Sequence, residues 1–113
     1  MADLPSVGLT PGQISVLEKF LRAEFKFLTF ERYARYLAVE KEGFVALLDP
    51  AGGSLALFSQ VGYRIGDGIG MLVEKPEGKA FVWHGEIVPA TPQLLAAYER
   101  IQTQIRELLE REA

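Results

Sequence analysis

The chain has 113 residues, of which 49% are hydrophobic, a formal net charge of −3 and no cysteine. This length suits one domain with one core, so we expect a single domain over residues 1–113. The lack of cysteine excludes disulfides, thiolate catalysis and cysteine-ligated metals, and the negative charge argues against an extended nucleic-acid-binding surface. The sequence has neither a basic and apolar leader nor an apolar run of about 18 residues. We therefore expect a cytoplasmic protein with no nucleic-acid or membrane partner.

Three signals predict that a helix begins at Pro11. Thr10 is a favoured N-cap residue, and proline is tolerated at the first helical position because its missing N–H would have no partner there. Gln13, three residues after Thr10, is placed to complete a capping box.

The end of this helix is ambiguous in the sequence. Apolar residues continue at helical spacing beyond Leu28, which favours a helix over residues 10–37. The alternative is a first strand from Tyr36 to Glu40 that forms a hairpin through residues 41–43.

The middle of the chain has the pattern of an antiparallel meander. Nine of the eleven glycines lie between residues 43 and 85, where short apolar runs alternate with turn signals. Among these signals are residues 59–62 after the run from Leu55 to Phe58, the hairpin dipeptide Asp67-Gly68, and the proline and glycine of residues 75–78. Because short connections make consecutive strands antiparallel neighbours, we predict four to six strands over residues 43–88.

A second Thr-Pro pair predicts the final helix over residues 91–111, with Thr91 as N-cap and Pro92 at the first position. Its apolar residues recur at steps of three and four and form one seam. The predicted fold is therefore α+β in two layers: an N-terminal helix, an antiparallel meander and a C-terminal helix. The seam consists of Leu94, Tyr98, Ile101, Ile105 and Leu108.

The predicted strands are apolar on both faces, as in the run from Leu55 to Phe58, so both faces need cover. Two helices on one face would leave the other for a second copy, whereas one helix on each face would complete a monomer. We favour a homodimer, because large exposed apolar patches are rare in monomers and twofold dimers are the commonest assembly. The interface candidates are two aromatic residues outside the helical stripe and two residues of the second sheet face: Phe27, Phe30, Ala56 and Phe58.

The sequence contains no catalytic constellation and nominates no metal or cofactor site. The glycine-rich stretch from Gly62 to Gly70 has strands on both sides. A phosphate-binding loop instead leads into a helix N-terminus, so we interpret this stretch as a hairpin.

Two further functions remain open beside the leading hypothesis of a non-catalytic, homodimeric interaction module. One is small-molecule binding, with an aromatic wall and polar contacts from hairpin residues. The weaker one is a hydrolase or isomerase in which His84, the single histidine, acts with Glu86 or Asp67. His84 is otherwise expected in a turn at a strand end. The candidate ligand-binding residues are Tyr63, Arg64, Trp83 and His84.

Overall fold

The computed structural model of the protein describes residues 9–28, 36–51, 55–66 and 68–110. They form a two-layer α+β fold in which one helix precedes and one follows an antiparallel sheet. The strand order follows the chain order. The predicted fold class is correct, but the described residues contain seven strands rather than four to six. The elements are α1 (Pro11–Arg22), β1 (Lys26–Leu28), β2 (Leu37–Lys41), β3 (Phe44–Asp49), β4 (Ala56–Ile65), β5 (Gly68–Lys75), β6 (Gly78–Trp83), β7 (Glu86–Pro89) and α2 (Pro92–Glu110).

The start of α1 has the predicted capping box. The amide of Gln13 donates to Thr10 Oγ1 at 3.1 Å, and the amide of Thr10 donates to Gln13 Oε1 at 2.9 Å. Gln13 is itself buried, and its Nε2 donates to the carbonyl oxygen of Pro50 at 2.8 Å. The same side chain therefore caps α1 and holds it to the chain that follows β3.

The predicted helix to Leu37 is wrong, because α1 ends at Arg22. The alternative of a strand and hairpin in this region is closer to the structure. Strand β2 ends at Lys41, which pairs with Phe44 across a two-residue turn. Residues 29–35, which the predicted helix also included, lie outside the described residues.

A Schellman motif ends α1. Glu24 has a positive φ of 72°, its amide donates to the carbonyl of Leu21 at 2.9 Å, and the amide of Phe25 donates to that of Phe20 at 3.0 Å. The Phe20 and Phe25 rings meet edge to face at 5.1 Å, which supplies the hydrophobic contact that usually accompanies this motif. The motif thus forms with glutamate at the position where glycine is usual.

Lys41 holds this helix end against its neighbours. Its Nζ donates to the carbonyl of Ala23 at 2.8 Å and to Oε1 of Gln104 in α2 at 3.3 Å. The ammonium also lies 5.4 Å from the centroid of the Phe25 ring, within the range of a cation–π contact. One side chain of β2 thereby contacts both helices.

Helix α2 begins as predicted. Thr91 Oγ1 accepts a hydrogen bond from the amide of Leu94 at 3.2 Å, and its carbonyl accepts one from the amide of Leu95 at 2.8 Å. The helix extends to Glu110, and the last predicted residue, Arg111, lies outside the described residues. The inner residues of the seam, Tyr98, Ile101 and Ile105, are buried.

Both helices cover the same face of the sheet, which we call the helix-side face. Buried residues of α1, of α2 and of alternate sheet positions belong to one core cluster. The sheet contributes to it Val39, Phe44, Ala46, Leu48, Val61, Ile65 and Phe81.

At the centre of this core lies a cluster of four aromatic rings from β3, β4, β6 and α2. The Phe44 ring centroid lies 5.2 Å from that of Tyr63, 6.0 Å from that of Phe81 and 5.8 Å from that of Tyr98. Phe81 in turn lies 5.4 Å from Tyr63 and 5.6 Å from Tyr98. These rings connect strands β3 and β4 to strand β6 and to helix α2.

The sheet opens between β4 and β5. The two strands pair only over residues 63–65 and 68–70, and β5 then pairs with β6 over residues 71–75. A Cβ atom added to Gly62 would lie 2.7 Å from the carbonyl oxygen of Gly70. Glycine is therefore required where the strands approach each other, just before they separate.

Two turn predictions inside this region need correction. The sequence favoured a turn after Phe58, but β4 continues without interruption from Ala56 to Ile65. Gly68 pairs with Ile65 and so belongs to β5 rather than to the predicted Asp67-Gly68 turn; Asp67 lies outside the described residues.

Replacing Glu24 by glycine is expected to stabilise the protein. A left-handed backbone costs a residue with a Cβ atom about 1 kcal/mol, and glycine avoids this cost. We expect Glu24→Gly to raise the free energy of unfolding in urea by about 0.5–1 kcal/mol over Glu24→Ala, which keeps the Cβ atom. Equal stability of the two variants would contradict the Schellman geometry.

Candidate functional site

The sheet face opposite the helices, here called the outer face, has its own apolar cluster. Ala38, Val45, Leu47 and Ile69 are buried there, although both helices lie on the other side of the sheet. Partly buried side chains surround this cluster, namely Leu28, Tyr36 and Met71.

Exposed hydrophobic residues extend the outer face toward solvent. Phe58 is 39% exposed, Val73 38% and Ile87 51%, and these are the exposed large hydrophobic residues of the described chain. The register places all three on the outer face. Phe58 lies opposite Leu47, Val73 shares its face with Ile69, and Ile87 follows from Met71 through Val82. The Phe58 ring also stacks on that of Tyr36 at 4.2 Å.

The charged groups at the middle of the outer face oppose each other. Nη1 of Arg64 lies 3.7 Å from Oε2 of Glu40, and the side chains are 47% and 13% exposed. Because opposite charges this close together largely cancel each other's field at longer distances, the centre of the face presents no net charge.

The predicted interface residues divide between the two faces. Ala56 and Phe58 are both exposed on the outer face. Phe27 instead lies in β1 and packs against the core on the helix side. Phe27 was nominated because it falls outside the stripe of a longer helix, but α1 ends at Arg22. Phe30 lies outside the described residues.

The four predicted ligand-binding residues do not converge. Tyr63 belongs to the four-ring cluster on the helix side, whereas Arg64 faces outward beside Glu40. Trp83 packs against the core, and the ring of His84 stacks on the indole at 3.9 Å with an angle of 8°.

His84 lies in the turn between β6 and β7. It and Gly85 have φ values of 47° and 83°, as a type I′ turn requires. Its side chain is exposed, and in the described part of the chain no carboxylate lies within ion-pair distance of its ring. Glu86 is also exposed, opposite Trp83. These positions give His84 no general-base partner among the described residues.

A cleft of about 390 Å³ lies where β4 and β5 separate, beneath α2. The sequence did not indicate this cleft, because Tyr98 was assigned to the apolar seam of the final helix and Gln60 to a turn. Burial raises the pKa of the Tyr98 phenol, and nearby Arg106 opposes this effect. The hydroxyl is therefore protonated at neutral pH. The lining residues are Gln60, Leu72, Val73, Glu74, Lys79, Tyr98 and Gln102.

A second, shallow cleft of about 720 Å³ follows the outward side of α2 beside Lys41. At its edge, Arg100 donates two hydrogen bonds to the Glu42 carboxylate, at 3.0 and 2.9 Å. Both side chains are largely exposed, so the pair contributes little to stability. The two clefts contain none of the four predicted ligand-binding residues.

The described residues contain neither a membrane-spanning helix nor a cluster of metal ligands. No helix there is long and apolar enough to cross a membrane. Within the same ranges, no group of three or more histidine or acidic side chains is placed to hold a metal ion.

Comparison with known proteins gives no relative. The chain matches no protein-family model, no curated protein and no solved structure.

The pKa of the Glu42 carboxyl is expected below its ordinary value, chiefly because Arg100 donates hydrogen bonds to the charged form. A lowered pKa in the folded state stabilises the fold above the unfolded pKa, and this contribution is lost as the pH falls through the folded value, below about 4.5. Arg100→Gln should raise the Glu42 pKa in a carbon-detected NMR titration. An unchanged Glu42 pKa would show that the ion pair does not form in solution.

Gly68 is predicted to tolerate no side chain, because a Cβ atom there would overlap the Trp83 ring. Gly68→Ala should lower the free energy of unfolding by about 1–3 kcal/mol, as overpacking does, and shift the emission of this single tryptophan. Gly66→Asn is the control. It has open space at a φ of 56°, which asparagine tolerates, and it should change neither property. Unshifted emission in Gly68→Ala would contradict the packing.

Proposed function

We propose that the chain is a small, non-catalytic interaction module of the cytoplasm that forms a homodimer through its outer face. The observation that carries this proposal is that all three exposed large hydrophobic residues of the described chain, Phe58, Val73 and Ile87, lie on that face. Scattered exposure is ordinary in soluble proteins, whereas concentration on one surface is typical of an interface.

The chemistry of the face favours a second copy of this chain over a charged partner. Its central charges, Glu40 and Arg64, already neutralise each other, so the surface offers no field to attract a polyanion or a basic peptide. An apolar, locally neutral face is complementary to itself. A twofold arrangement would place Phe58 and Ile87 of each copy against an equally apolar surface.

The test is the solution mass by light scattering across a wide concentration range. We expect twice the 12.5 kDa of one chain and a dissociation constant that rises at least tenfold in Phe58→Lys and Ile87→Lys, because each buries an ammonium in an apolar interface. Circular dichroism verifies that both variants are folded.

Ala96→Lys is the matched control, since Ala96 is exposed on α2 and the substitution adds the same charge on the opposite layer. It should leave the dissociation constant unchanged. A wild-type chain that stays monomeric at millimolar concentration would refute the proposal. Equal weakening by Ala96→Lys would also refute it, because the effect would then come from net charge.

A further inference from the structure

Within the described residues, the opening between β4 and β5 leaves two strand edges without a partner strand. In the described residues, β4 pairs only with β3 before Tyr63. After Gly70, the pairing of β5 in the described part of the chain is with β6 alone. Unpaired edges usually lie at the outside of a sheet and are protected there by charge, proline or short length. Here they face each other across the cleft of about 390 Å³ beneath α2.

The register determines which backbone groups point into the cleft. Lys75 pairs with Gly78 across a two-residue turn, and residues that flank such a turn exchange hydrogen bonds. Because bonded and non-bonded pairs alternate along antiparallel strands, Val73 also bonds to β6. The N–H and C=O groups of Leu72 and Glu74 are therefore directed away from β6, toward the cleft.

The side chains around the cleft suit a neutral, hydrogen-bonding ligand. Glu74 and Lys79 lie opposite each other on neighbouring strands and bring one negative and one positive charge, which favours neither an anion nor a cation. Gln60 and Gln102 add carboxamides on the two sides, and Tyr98 adds a hydroxyl. Carboxamides and peptide groups are donors and acceptors of the same kind.

We propose that this cleft binds an extended peptide segment as an added strand against the free edge of β5. The main chain of the peptide bonds to the backbone of Leu72 and Glu74, about 4.8 Å away as in any sheet. Alternate peptide side chains face Leu72 and Tyr98 on the helix side of the sheet, and the others point toward the outer face. These contacts favour peptides whose sequences are uncharged and partly apolar. The site does not depend on self-association.

Amide hydrogen exchange tests the geometry in the free protein. The amides of Leu72 and Glu74 should exchange at least tenfold faster than those of Met71, Val73 and Lys75, which donate to β6. Equal protection of all five amides would overturn the proposal, since the edge would then already be occupied.

The ligand test uses a phage-displayed library of linear seven-residue peptides and a synthetic peptide of an enriched sequence. The bound peptide should slow exchange at Leu72 and Glu74 at least tenfold and shift the side-chain amide signals of Gln60 and Gln102. Failure to enrich any sequence, or protection elsewhere on the molecule, would overturn the proposal.

Two variants at one position separate backbone from side-chain recognition. Glu74→Pro removes the N–H that faces the cleft while sparing the N–H groups that bond to β6, and it should abolish peptide binding. Glu74→Gln keeps this donor and should bind within about threefold of the wild type, because uncharged groups carry the recognition. Equal binding by the two folded variants would overturn the proposal. If Glu74→Pro does not fold, the amide exchange rates of Leu72 and Glu74 in the wild-type protein still test the proposal. Light scattering measures dimerisation separately, and neither dimerisation nor peptide binding implies the other.

Discussion

A cluster of four aromatic rings, formed by Phe44, Tyr63, Phe81 and Tyr98, holds the two parts of the sheet to each other and to α2. Neighbouring strands hold most sheets together by backbone pairing, but here β4 and β5 pair over only three residues. The rings bridge that weak point, because Phe44 and Tyr63 lie on one side of it and Phe81 on the other. Each such pair adds about 0.5–1.5 kcal/mol to the effect of burial. Tyr98 brings α2 to the same point and so places this helix on the helix-side face.

The two candidate surfaces follow from this arrangement. With both helices on the helix-side face, the outer face has no covering helix among the described residues, and Phe58, Val73 and Ile87 remain exposed there. The separation of β4 and β5 produces the cleft beneath α2, and the aromatic rings hold the two parts of the sheet together beside it. Both candidate surfaces are therefore consequences of how the core is built. By contrast, His84 is accounted for by the backbone of a type I′ turn and by its stack on Trp83.

The sequence predicted what local signals determine. Both helix starts follow from Thr-Pro pairs, and the meander follows from glycine spacing and short connections. The end of α1 was mispredicted because Glu24 occupies a position where glycine is the usual signal, and the stabilising contacts come from Phe25 and from Lys41, distant in the chain. Gly62 resembled a turn residue, but it permits close approach of two strands. The cleft depends on the position at which β4 and β5 cease to pair, and no local sequence pattern indicates that position.

In the proposed dimer, copies of the chain meet through the outer face. An isotope-filtered nuclear Overhauser experiment on a mixture of ¹³C-labelled and unlabelled chains tests it most directly, because it reports only contacts between molecules. We expect intermolecular signals at the Phe58 ring and at the methyl groups of Val73 and Ile87, and none at the buried rings of Phe44 and Phe81. Intermolecular signals confined to the outward side of α2, or none at concentrations where the chain is dimeric, would contradict it.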